Sequence, residues 1–555
     1  MKNNNNQGDL LRFGTIDTPF IDPASNVSKT DMLYGAWVAI AEFYPALIRY
    51  GNFDEYHFFS SINTLDFKKK LPQELTNNNR VKFKKIKDIP FYLGNTTYTT
   101  FFTCRPLLAN LAYLRSYHAC RYFPICGLTY TISYRFFLKD VFFRNLISEL
   151  YPFDSIICTS NGVLKAFQNL NAIVRKSFLK EKKLALDWQA RLDHLPLGVD
   201  ADRYGKTDKL EARKILGLPK NKVIILYFGR FSVYDKMDLY PLLVAFKNLK
   251  NKNIILLLAG KDNPERYAAK VRKLAKDMGI MPQVVFRLDP SLKRKYLLYS
   301  ASDIFVSPSD NIQESFGLTV LEAMASGLPV VVSDWDGYKD IVVHDKTGFK
   351  IPTYWMRCDE DICSFSQLFS DFYHDHLALS QTVCVDIKKM TDYLSILVKH
   401  KELRKQFGRE AQKRVLEKYD WRILIPAYER LWRQLSLIAK NSKINREKTK
   451  IFVPEYFSAF HHYASKLITL DTKIVITGDG ILAVKTKSFL SIPLEIQYLV
   501  SMRIIFLILT FVLARNTSTV KEIYNYIKSI LNKSSADTIQ YNIMWLLKKN
   551  LLMLA

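Results

Sequence analysis

The sequence has few cysteines, and they follow no recognisable spacing. Its 555 residues include seven, with no C-x-x-C pair among them. They are Cys104, Cys120, Cys126, Cys158, Cys358, Cys363 and Cys384. An odd number without metal-ligand spacing predicts neither a zinc site nor a disulfide framework, and such thiols are typical of a reducing cytosol. Other catalytic motifs are also missing, because there is no G-x-S-x-G, H-E-x-x-H or Walker-type loop.

Long hydrophobic runs are absent as well. The first residues, MKNNNNQGDLLRF, have no apolar stretch behind their charge, so we do not predict a secretory signal. The run from Ile504 to Ala514 has eleven uncharged residues, whereas a membrane span needs about twenty. Glu495 and Arg503 lie just before it. We therefore predict a buried core helix, with a helix over 498–514 that dips into a membrane interface as the alternative.

Acidic residues are the scarcer charge. Lys and Arg number 80 against 53 Asp and Glu, which gives a formal net charge of +27. This balance favours polyanionic partners, namely nucleic acid, an anionic membrane surface or phosphorylated small molecules. The alternative is that the lysines are spread over solvated faces. Because no long Lys/Arg run carries interleaved aromatic residues, nucleic acid is not an expected partner.

Short apolar runs alternate with helical patterns over residues 196–435. The runs are Val223–Phe228, Ile254–Ala259, Val284–Phe286, Asp303–Val306 and Val330–Ser333, and the helical patterns are Leu239–Leu249, Glu265–Met278, Ser291–Ser300 and Gly317–Ser326. Such alternation predicts a parallel sheet covered on both faces. Residues 31–195 show a weaker form of the pattern, with a helix over Asp31–Tyr50. The predicted fold class is α/β, with two Rossmann-like halves joined near Pro196 and a flexible N-terminus over residues 1–30.

The C-terminal part changes character. Two amphipathic helices broken near Tyr419 are predicted over 397–434, followed by a Lys-rich linker that starts at 436 and ends by 466. Lys473–Ile476 and Ile481–Lys485 flank a Thr-Gly-Asp-Gly turn, which indicates a hairpin. Three helical patterns complete residues 467–555. A hairpin with three helices predicts a small α+β, winged-helix-like domain that contacts protein or peptide, with DNA binding as the alternative.

Two glutamates stand eight residues apart in the segment Glu314–Glu322. Gly317 lies between them, where the pattern predicts the start of a helix. The exposed N–H groups and positive end of that helix favour an anionic ligand. A loop glutamate at Glu314 can accept hydrogen bonds from sugar hydroxyls, and Glu322 inside the helix can hold a ribose diol. The alternative is an ordinary amphipathic helix with two surface glutamates.

Two basic residues, Arg230 and Lys236, follow the run VIILYF directly. Parallel sheets bind ligands in crevices at the carboxyl ends of their strands. A guanidinium fork and an ammonium group both suit a diphosphate, and they would stabilise the charge that develops on a departing nucleoside diphosphate. The alternative is a solvated basic loop.

Residues 195–433 resemble the C-terminal half of family 4 (group 1) GT-B glycosyltransferases. The resemblance is carried by the following segments: Leu195–Asp200, Gly229–Phe231, Asp235–Lys236, Leu258–Gly260, Ala301–Asp303, Val306–Ser309, Glu314–Pro329, Ser333–Lys339, Asp420–Trp421 and Tyr428–Trp432. It implies two Rossmann-like domains that face a central cleft. The last segment would belong to the helix that crosses back to the first domain.

The resemblance also implies roles for particular residues. Arg230 and Lys236 would hold the donor diphosphate, Glu314 would lie near the transferred sugar, and Glu322 would hold the donor ribose. The remaining donor contacts would be Phe316, Gly317 and Leu318, with Leu288 in the segment 287–289 near the base. Tyr130 stands where the family often has a histidine that faces the donor sugar, and a phenol can still donate a hydrogen bond there.

The function implied is a retaining, metal-independent hexosyltransferase that uses a nucleotide-diphosphate sugar and no cofactor. Its acceptor would be a glycan, a glycolipid or a protein, as in polysaccharide biosynthesis. We expect a cytoplasmic protein with peripheral contact at the inner face of an anionic membrane. Asp334 and Asp336 form a D-x-D pattern, which we assign to a loop and not to a metal.

Two alternatives to this function stay open. One is a phosphorylase of the same fold, although no lysine for its pyridoxal cofactor is identifiable. The other is a degenerate GT-B binding module fused to a winged-helix interaction domain, and the exchange of histidine for Tyr130 favours it. The Gly-rich loop expected in the first half is also missing, since only Gly14 and Gly35 lie near its first segments.

Overall fold

A computed structural model describes most of the chain. The described residues are 10–17, 35–60, 76–130, 132–133, 141–262, 266–358, 360, 362, 374–443, 455–486, 492, 496, 499–532 and 535–555. Contacts divide the chain into two compact units, residues 1–450 and residues 451–555.

The larger unit begins with a seven-stranded, fully parallel sheet in the order β3-β2-β1-β4-β5-β6-β7. The strands are β1 (Arg12–Thr15), β2 (Glu55–Ser60), β3 (Val81–Lys85), β4 (Thr100–Thr103), β5 (Ile125–Leu128), β6 (Ser155–Cys158) and β7 (Arg191–His194). The α-helices are Gly35–Tyr50, Ile89–Asn95, Ala109–His118, Phe143–Leu146 and Asn161–Lys182, with a 3-10 turn at Ile86–Asp88. Every residue of β4, β5 and β6 is buried, as expected when helices cover both faces.

Strand β1 corrects the prediction that residues 1–30 are flexible throughout. Its four residues were too few to show a pattern, yet they form the central strand between β2 and β4. Phe13 is fully buried, and its ring lies 5.4 Å from that of Trp432. The first half of the fold therefore begins at β1 and not at residue 31. Residues 1–9 and 18–30 lie outside the described part of the chain.

The second half is a six-stranded parallel sheet in the order β10-β9-β8-β11-β12-β13. The strands are β8 (Val223–Phe228), β9 (Ile254–Gly260), β10 (Val284–Leu288), β11 (Ile304–Ser307), β12 (Val330–Ser333) and β13 (Gly348–Ile351). An antiparallel pair, β14 (Thr353–Trp355) and β15 (Val383–Val385), follows. The α-helices are Lys209–Leu216, Tyr240–Asn248, Tyr267–Asp277, Leu292–Ala301, Leu318–Ala325, Tyr338–Ile341, His374–Ser380, Ile387–Lys399, Lys401–Lys418 and Trp421–Asn441, with 3-10 turns at Ala201–Arg203 and Met281–Gln283. The first five strands confirm the predicted runs to within two residues.

The helix Trp421–Asn441 crosses back from the second half to the first. Its Trp432 ring lies 5.4 Å from Phe102, and its Trp421 ring lies 5.6 Å from Phe43. The helix continues past the domain boundary predicted at residue 435. Three residues at or beyond that boundary are buried: Leu435, Ser436 and Ala439. Through these ring contacts the crossover helix packs the second half against the first.

The smaller unit contains a three-stranded antiparallel sheet in the order β17-β16-β18. The strands are β16 (Lys473–Ile476), β17 (Thr517–Thr519) and β18 (Leu552–Leu554), and the α-helices are Tyr456–Phe460, Gly478–Thr486, Met502–Arg515, Val520–Ile530 and Ala536–Lys548, with a 3-10 turn at His461–Tyr463. The predicted hairpin is wrong, because Ile481–Lys485 is helical. The Thr477 hydroxyl accepts a hydrogen bond from the Gly480 N–H at 3.0 Å, which starts that helix. The small α+β character and the three later helices are confirmed.

The apolar run near the C-terminus is a core helix. Within Met502–Arg515, five residues are buried: Ile504, Ile505, Ile508, Leu509 and Val512. They pack in the core of the smaller unit. Of the helices in the described ranges, none has both the length and the apolarity that crossing a bilayer requires.

Candidate active site

The loops after β8, β11 and β12 meet at one edge of the second sheet. These strands are adjacent and parallel, so their carboxyl ends lie together. The loop after β8 carries Arg230 and Lys236, and the loop after β11 carries Glu314. Lys236 forms an ion pair with Glu314. The two basic residues and the first glutamate therefore converge, as the sequence predicts.

Arg230 is held by the loop from which it projects. One terminal nitrogen forms an ion pair with the Asp235 carboxylate. The other donates to the Asp235 carbonyl at 3.1 Å and to Gln313 Oε1 at 3.4 Å. Gln313 precedes Glu314, so the guanidinium links the β8 loop to the β11 loop. Its side chain is 12% exposed.

Glu314 is fixed by two donors. One of its oxygens pairs with Lys236 and also accepts a hydrogen bond from the Tyr338 hydroxyl at 3.1 Å. Burial and the nearby Glu314 carboxylate raise the pKa of Tyr338 well above its ordinary value. The phenol therefore keeps its proton and remains a hydrogen-bond donor over the physiological pH range.

Gly317 gives the predicted helix its start. The helix is Leu318–Ala325, and Gly317 precedes it with φ of +119°. A Cβ at this position would lie 2.5 Å from the Tyr338 ring. Only glycine combines this backbone angle with that contact. Phe316 is buried and Leu318 is partly buried, so the backbone of this turn is the part that can face a ligand.

Glu322 lies inside that helix and is 4% exposed at its side chain. One carboxylate oxygen pairs with Lys295, and the other accepts from the Tyr299 hydroxyl at 2.7 Å. Both partners are on the helix Leu292–Ala301. Glu322 can hold a ribose only if Lys295 and Tyr299 share or release its carboxylate. The predicted ribose contact of Glu322 stays a prediction.

A further acidic group reaches this cluster from the first half. Glu42, on the helix Gly35–Tyr50, interacts with Lys295 and Arg203. Burial raises the pKa of Glu42 to about 7, against the opposing effect of these two cations. Lys295 thus interacts with a carboxylate from each half, Glu42 from the first and Glu322 from the second.

Tyr130 belongs to the first half and is directed into it. Its hydroxyl is buried beside the Cys104 thiol, and burial raises its pKa well above the ordinary value. Its backbone carbonyl, by contrast, accepts a hydrogen bond from Ser315. Tyr130 therefore meets the Glu314 loop through its main chain, and its predicted hydrogen bond to a donor sugar stays a prediction.

Ser160 links the same loop to the first half. Its hydroxyl donates to the Ser315 carbonyl at 2.9 Å and accepts from the Val163 N–H at 3.1 Å. It is thus both the N-cap of the helix Asn161–Lys182 and a contact between the two halves. Beside it, the Asn161 N–H donates to Asp340 at 2.7 Å.

We expect Ser160→Ala to lower the free energy of unfolding by about 1 kcal/mol, which is typical of a lost N-cap. Urea denaturation of both proteins measures the change. Ser177→Ala on the same helix is the matched control, because Ser177 is exposed and bonds only to its own helix. Equal stability of the two variants would contradict the capping role.

The D-x-D residues have protein partners. Asp334 lies 3.3 Å from the Lys350 ammonium, and Asp336 lies 3.4 Å from the Ser160 hydroxyl. Burial, followed by the Glu314 charge, raises the pKa of Asp336 to about 7. In the ranges that the structure describes, no group of three or more His, Cys, Asp or Glu could hold a metal ion.

Leu288 lies at the carboxyl end of β10, next to Gly260 on β9. Its side chain is 37% exposed, so it offers an apolar surface two strands away from Arg230. A Cβ at Gly260 would lie 1.8 Å from the Gly229 carbonyl, which explains why glycine stands between these positions. The predicted base contact at Leu288 stays a prediction.

Several residues of the site escaped sequence reasoning. They are Glu42, Ser315, Gln313, Lys295, Tyr299 and Tyr338. Tyr338 lies in a segment that carried the family resemblance, so its neighbourhood was a usable signal. Lys295 and Glu42 gave none, because their contacts join helices far apart in the chain.

Solved structures share this architecture of two parallel sheets. Sucrose-phosphate synthase from Thermosynechococcus elongatus has a TM-score of 0.50 at 18% identity, over 77% of this chain and 100% of that one. Anabaena HepE in complex with UDP and glucose has a TM-score of 0.51 at 14% identity, over 76% and 98%. Identities this low show the fold alone. The fold of the larger unit is GT-B, as predicted.

Sequence similarity is concentrated in the second half. Residues 208–368 match the family described as glycosyl transferases group 1. D-inositol 3-phosphate glycosyltransferase of Mycobacteroides abscessus is 32% identical over 169 residues, 30% of this chain and 36% of that protein. An uncharacterized glycosyltransferase of Methanocaldococcus jannaschii is 33% identical over 141 residues, 25% and 35% of the two chains. The chain thus spans about a third of the length of these curated relatives, and the matched region holds Arg230, Lys236 and both glutamates.

Proposed function

We propose that this chain is a glycosyltransferase that moves a hexose from a nucleotide-diphosphate sugar to an acceptor hydroxyl. The observation that supports it best is the convergence of Arg230, Lys236 and Glu314 with the start of the helix Leu318–Ala325. Two cations and a helix N-terminus match the charge of a diphosphate. The sequence similarity to group 1 glycosyltransferases over residues 208–368 supports the same activity.

The charge arrangement suits departure of a nucleoside diphosphate. As the bond between the anomeric carbon and the diphosphate oxygen lengthens, negative charge grows on the leaving group. Arg230, Lys236 and the backbone N–H groups after Gly317 would stabilise that charge more strongly than the charge of the bound donor. Glu314 would support the positive character that develops at the sugar. None of these proposed roles requires a metal ion.

Retention of configuration follows if the acceptor enters on the face that the diphosphate leaves. The first half covers this side of the site, because Ser160 and Tyr130 contact the Glu314 loop. An acceptor held by the first half would reach the sugar beside the departing diphosphate. Closure of the two halves would also keep water away from the donor.

A UDP-sugar is the first donor to test. Anabaena HepE, which shares the fold, has been solved with UDP and glucose. The matched region of this chain is its donor half, so the similarity carries less information about the acceptor. A glycan, a glycolipid and a protein are therefore the three acceptor classes to assay. As a separate part of the proposal, the chain acts at the inner face of a membrane.

We expect UDP, GDP or ADP to raise the melting temperature of the full chain. A nucleotide at 100 times its Kd stabilises the folded state by about 2.7 kcal/mol, or about 5–10 °C for domains of this size. A thermal-shift series over the three nucleotides measures it. Absence of any shift would contradict the donor site.

Turnover separates the enzyme from a binding module. Incubated with the corresponding nucleotide sugar, an active enzyme should slowly release the nucleoside diphosphate even without acceptor. A degenerate GT-B module would show the thermal shift and release nothing. Retention would then be read from the anomeric configuration of the product, and metal independence from activity in the presence of a chelator.

A further inference from the structure

Two indole rings lie side by side at the rim of the candidate site. Trp335 belongs to the D-x-D segment after β12, and Trp355 belongs to β14. Their ring centroids are 5.7 Å apart, with an angle of 61° between the ring planes. Trp355 is 53% exposed. We call this pair of rings the aromatic platform. Large apolar rings that stay exposed beside a ligand site indicate a surface that a ligand can cover.

The aromatic platform is joined directly to the loop that carries Glu314. The Trp335 indole N–H donates to the Asn311 carbonyl at 2.9 Å, and the Glu314 N–H donates to the same carbonyl at 3.2 Å. A single carbonyl group therefore links the first indole to the main chain of Glu314. The ring of Trp355 extends the surface from there to solvent.

The order of the strands places the platform at the sugar end of the site. Along the sheet, Leu288 is on β10, Arg230 follows β8, Glu314 follows β11, and the platform begins after β12. A donor whose base is at Leu288 and whose sugar is at Glu314 would end before the platform. The acceptor would then meet the platform next. Asp336, beside the first indole, lies 3.4 Å from Ser160 of the first half, the half that we propose to hold the acceptor.

Both rings of the platform are held in fixed positions. The Trp355 indole N–H donates to the Thr382 hydroxyl at 2.8 Å. The start of β14 is tied to the D-x-D segment, because the Thr353 hydroxyl donates to the Asp334 carbonyl at 3.0 Å. A ring that is already fixed loses little conformational freedom when a ligand covers it. Since both indole N–H groups have protein partners, the platform offers its ring faces to a ligand.

A sugar ring matches this surface better than a protein does. The C–H groups of a pyranose form an apolar face that can lie on an indole, while its hydroxyls need polar partners around that face. Asp334 precedes the first indole, is 41% exposed at its side chain, and lies 3.3 Å from the Lys350 ammonium. A stable protein interface needs a much larger area, whereas the exposed neighbour Tyr354 lies on the other face of β14.

We propose that the aromatic platform binds a sugar ring of an oligosaccharide acceptor, next to the position of the transferred sugar. The acceptor is thus a glycan chain, and its terminal hydroxyl reaches the anomeric carbon beside Glu314. Binding at the platform forms and breaks no covalent bond. The acceptor role of the platform rests on the proposed function, whereas its ability to bind a glycan does not.

Calorimetric titration of the full chain with four hexasaccharides tests this inference. The probes are cellohexaose, maltohexaose, chitohexaose and mannohexaose, which differ in linkage and in the shape of the sugar face. At least one of them should bind the wild type. Trp355→Ala should weaken that binding about tenfold, because it removes a large apolar contact. Separate titrations with UDP, GDP and ADP measure the donor site, and their affinities should change much less in this variant.

Two variants and a footprint serve as controls. Trp355→Phe keeps a flat ring, so it should lose less affinity than Trp355→Ala. Tyr463→Ala removes another exposed ring, which lies in the smaller unit and is 77% exposed, and should match the wild type. In the wild type, the bound hexasaccharide should slow the oxidation of Trp355 by N-bromosuccinimide, read by peptide mass spectrometry. This footprint decides the matter if Trp355→Ala fails to fold.

The possible failures are distinct. If none of the four hexasaccharides binds, this inference is wrong. It is also wrong if one binds the wild type and Trp355→Ala equally or leaves the oxidation rate of Trp355 unchanged. In each case nucleotide binding keeps the proposed function intact. If UDP, GDP and ADP all fail to bind while hexasaccharide binding depends on Trp355, the proposed function fails and the platform belongs to a glycan-binding module.

Discussion

Arg230→Ala should lower the rate of nucleoside diphosphate release by about 100- to 1,000-fold, the usual cost of one donor that stabilises transition-state charge. The guanidinium joins the β8 loop to Gln313, next to Glu314. Its loss removes a cation from the leaving group and also loosens that connection. Affinity for the nucleotide should fall as well, because the same fork binds the ground-state diphosphate.

Two controls make this result interpretable. Arg230→Lys keeps a positive charge without the bidentate fork, so its rate should lie between those of the wild type and Arg230→Ala. Arg294→Ala removes an exposed arginine from the same half and should change little. Melting temperatures must accompany the rates, because Arg230→Ala also leaves Asp235 buried without its cation. An unchanged rate in Arg230→Ala would contradict the phosphate-binding role.

The second half was predictable because its strands are buried on both faces. A strand such as VIILYF has no polar alternation to obscure it, and turns or helix caps mark its ends. The two loop cations follow from the rule that parallel sheets bind ligands at carboxyl ends. The glutamate pair followed from its spacing around Gly317. Local signals were sufficient for each of these features.

The features that were missed depend on contacts distant in sequence. Strand β1 has four residues, and its central place in the sheet depends on pairing with β2 and β4. Thr477 looked like part of a turn, yet its hydroxyl starts a helix and donates to the Asn550 carbonyl at 2.6 Å. Lys295 meets its carboxylate partner, Glu322, 27 residues away. No periodicity over a short window contains that information.

Glu314→Ala should produce a loss of a different kind from that of Arg230→Ala. Glu314 neutralises Lys236 in the structure, so removing the carboxylate frees that ammonium for the diphosphate. Nucleotide affinity should therefore be retained or increased. The rate of sugar transfer should nevertheless fall about 100- to 1,000-fold, because the group that supports the positive character of the sugar is gone. A lower kcat with an unchanged or lower KM is the signature of a group that acts in the transition state.

Glu314→Gln separates charge from hydrogen bonding. The amide oxygen can still accept from Tyr338, as the carboxylate does at 3.1 Å, so the loop should keep its geometry. If charge is what matters, Glu314→Gln should be nearly as slow as Glu314→Ala; if geometry matters, it should be much faster. Glu417→Ala, an exposed glutamate on the helix Lys401–Lys418, is the control and should match the wild type. A Glu314→Ala enzyme that loses affinity and rate together would show that Glu314 only positions Lys236, which would assign the transition-state role to another group.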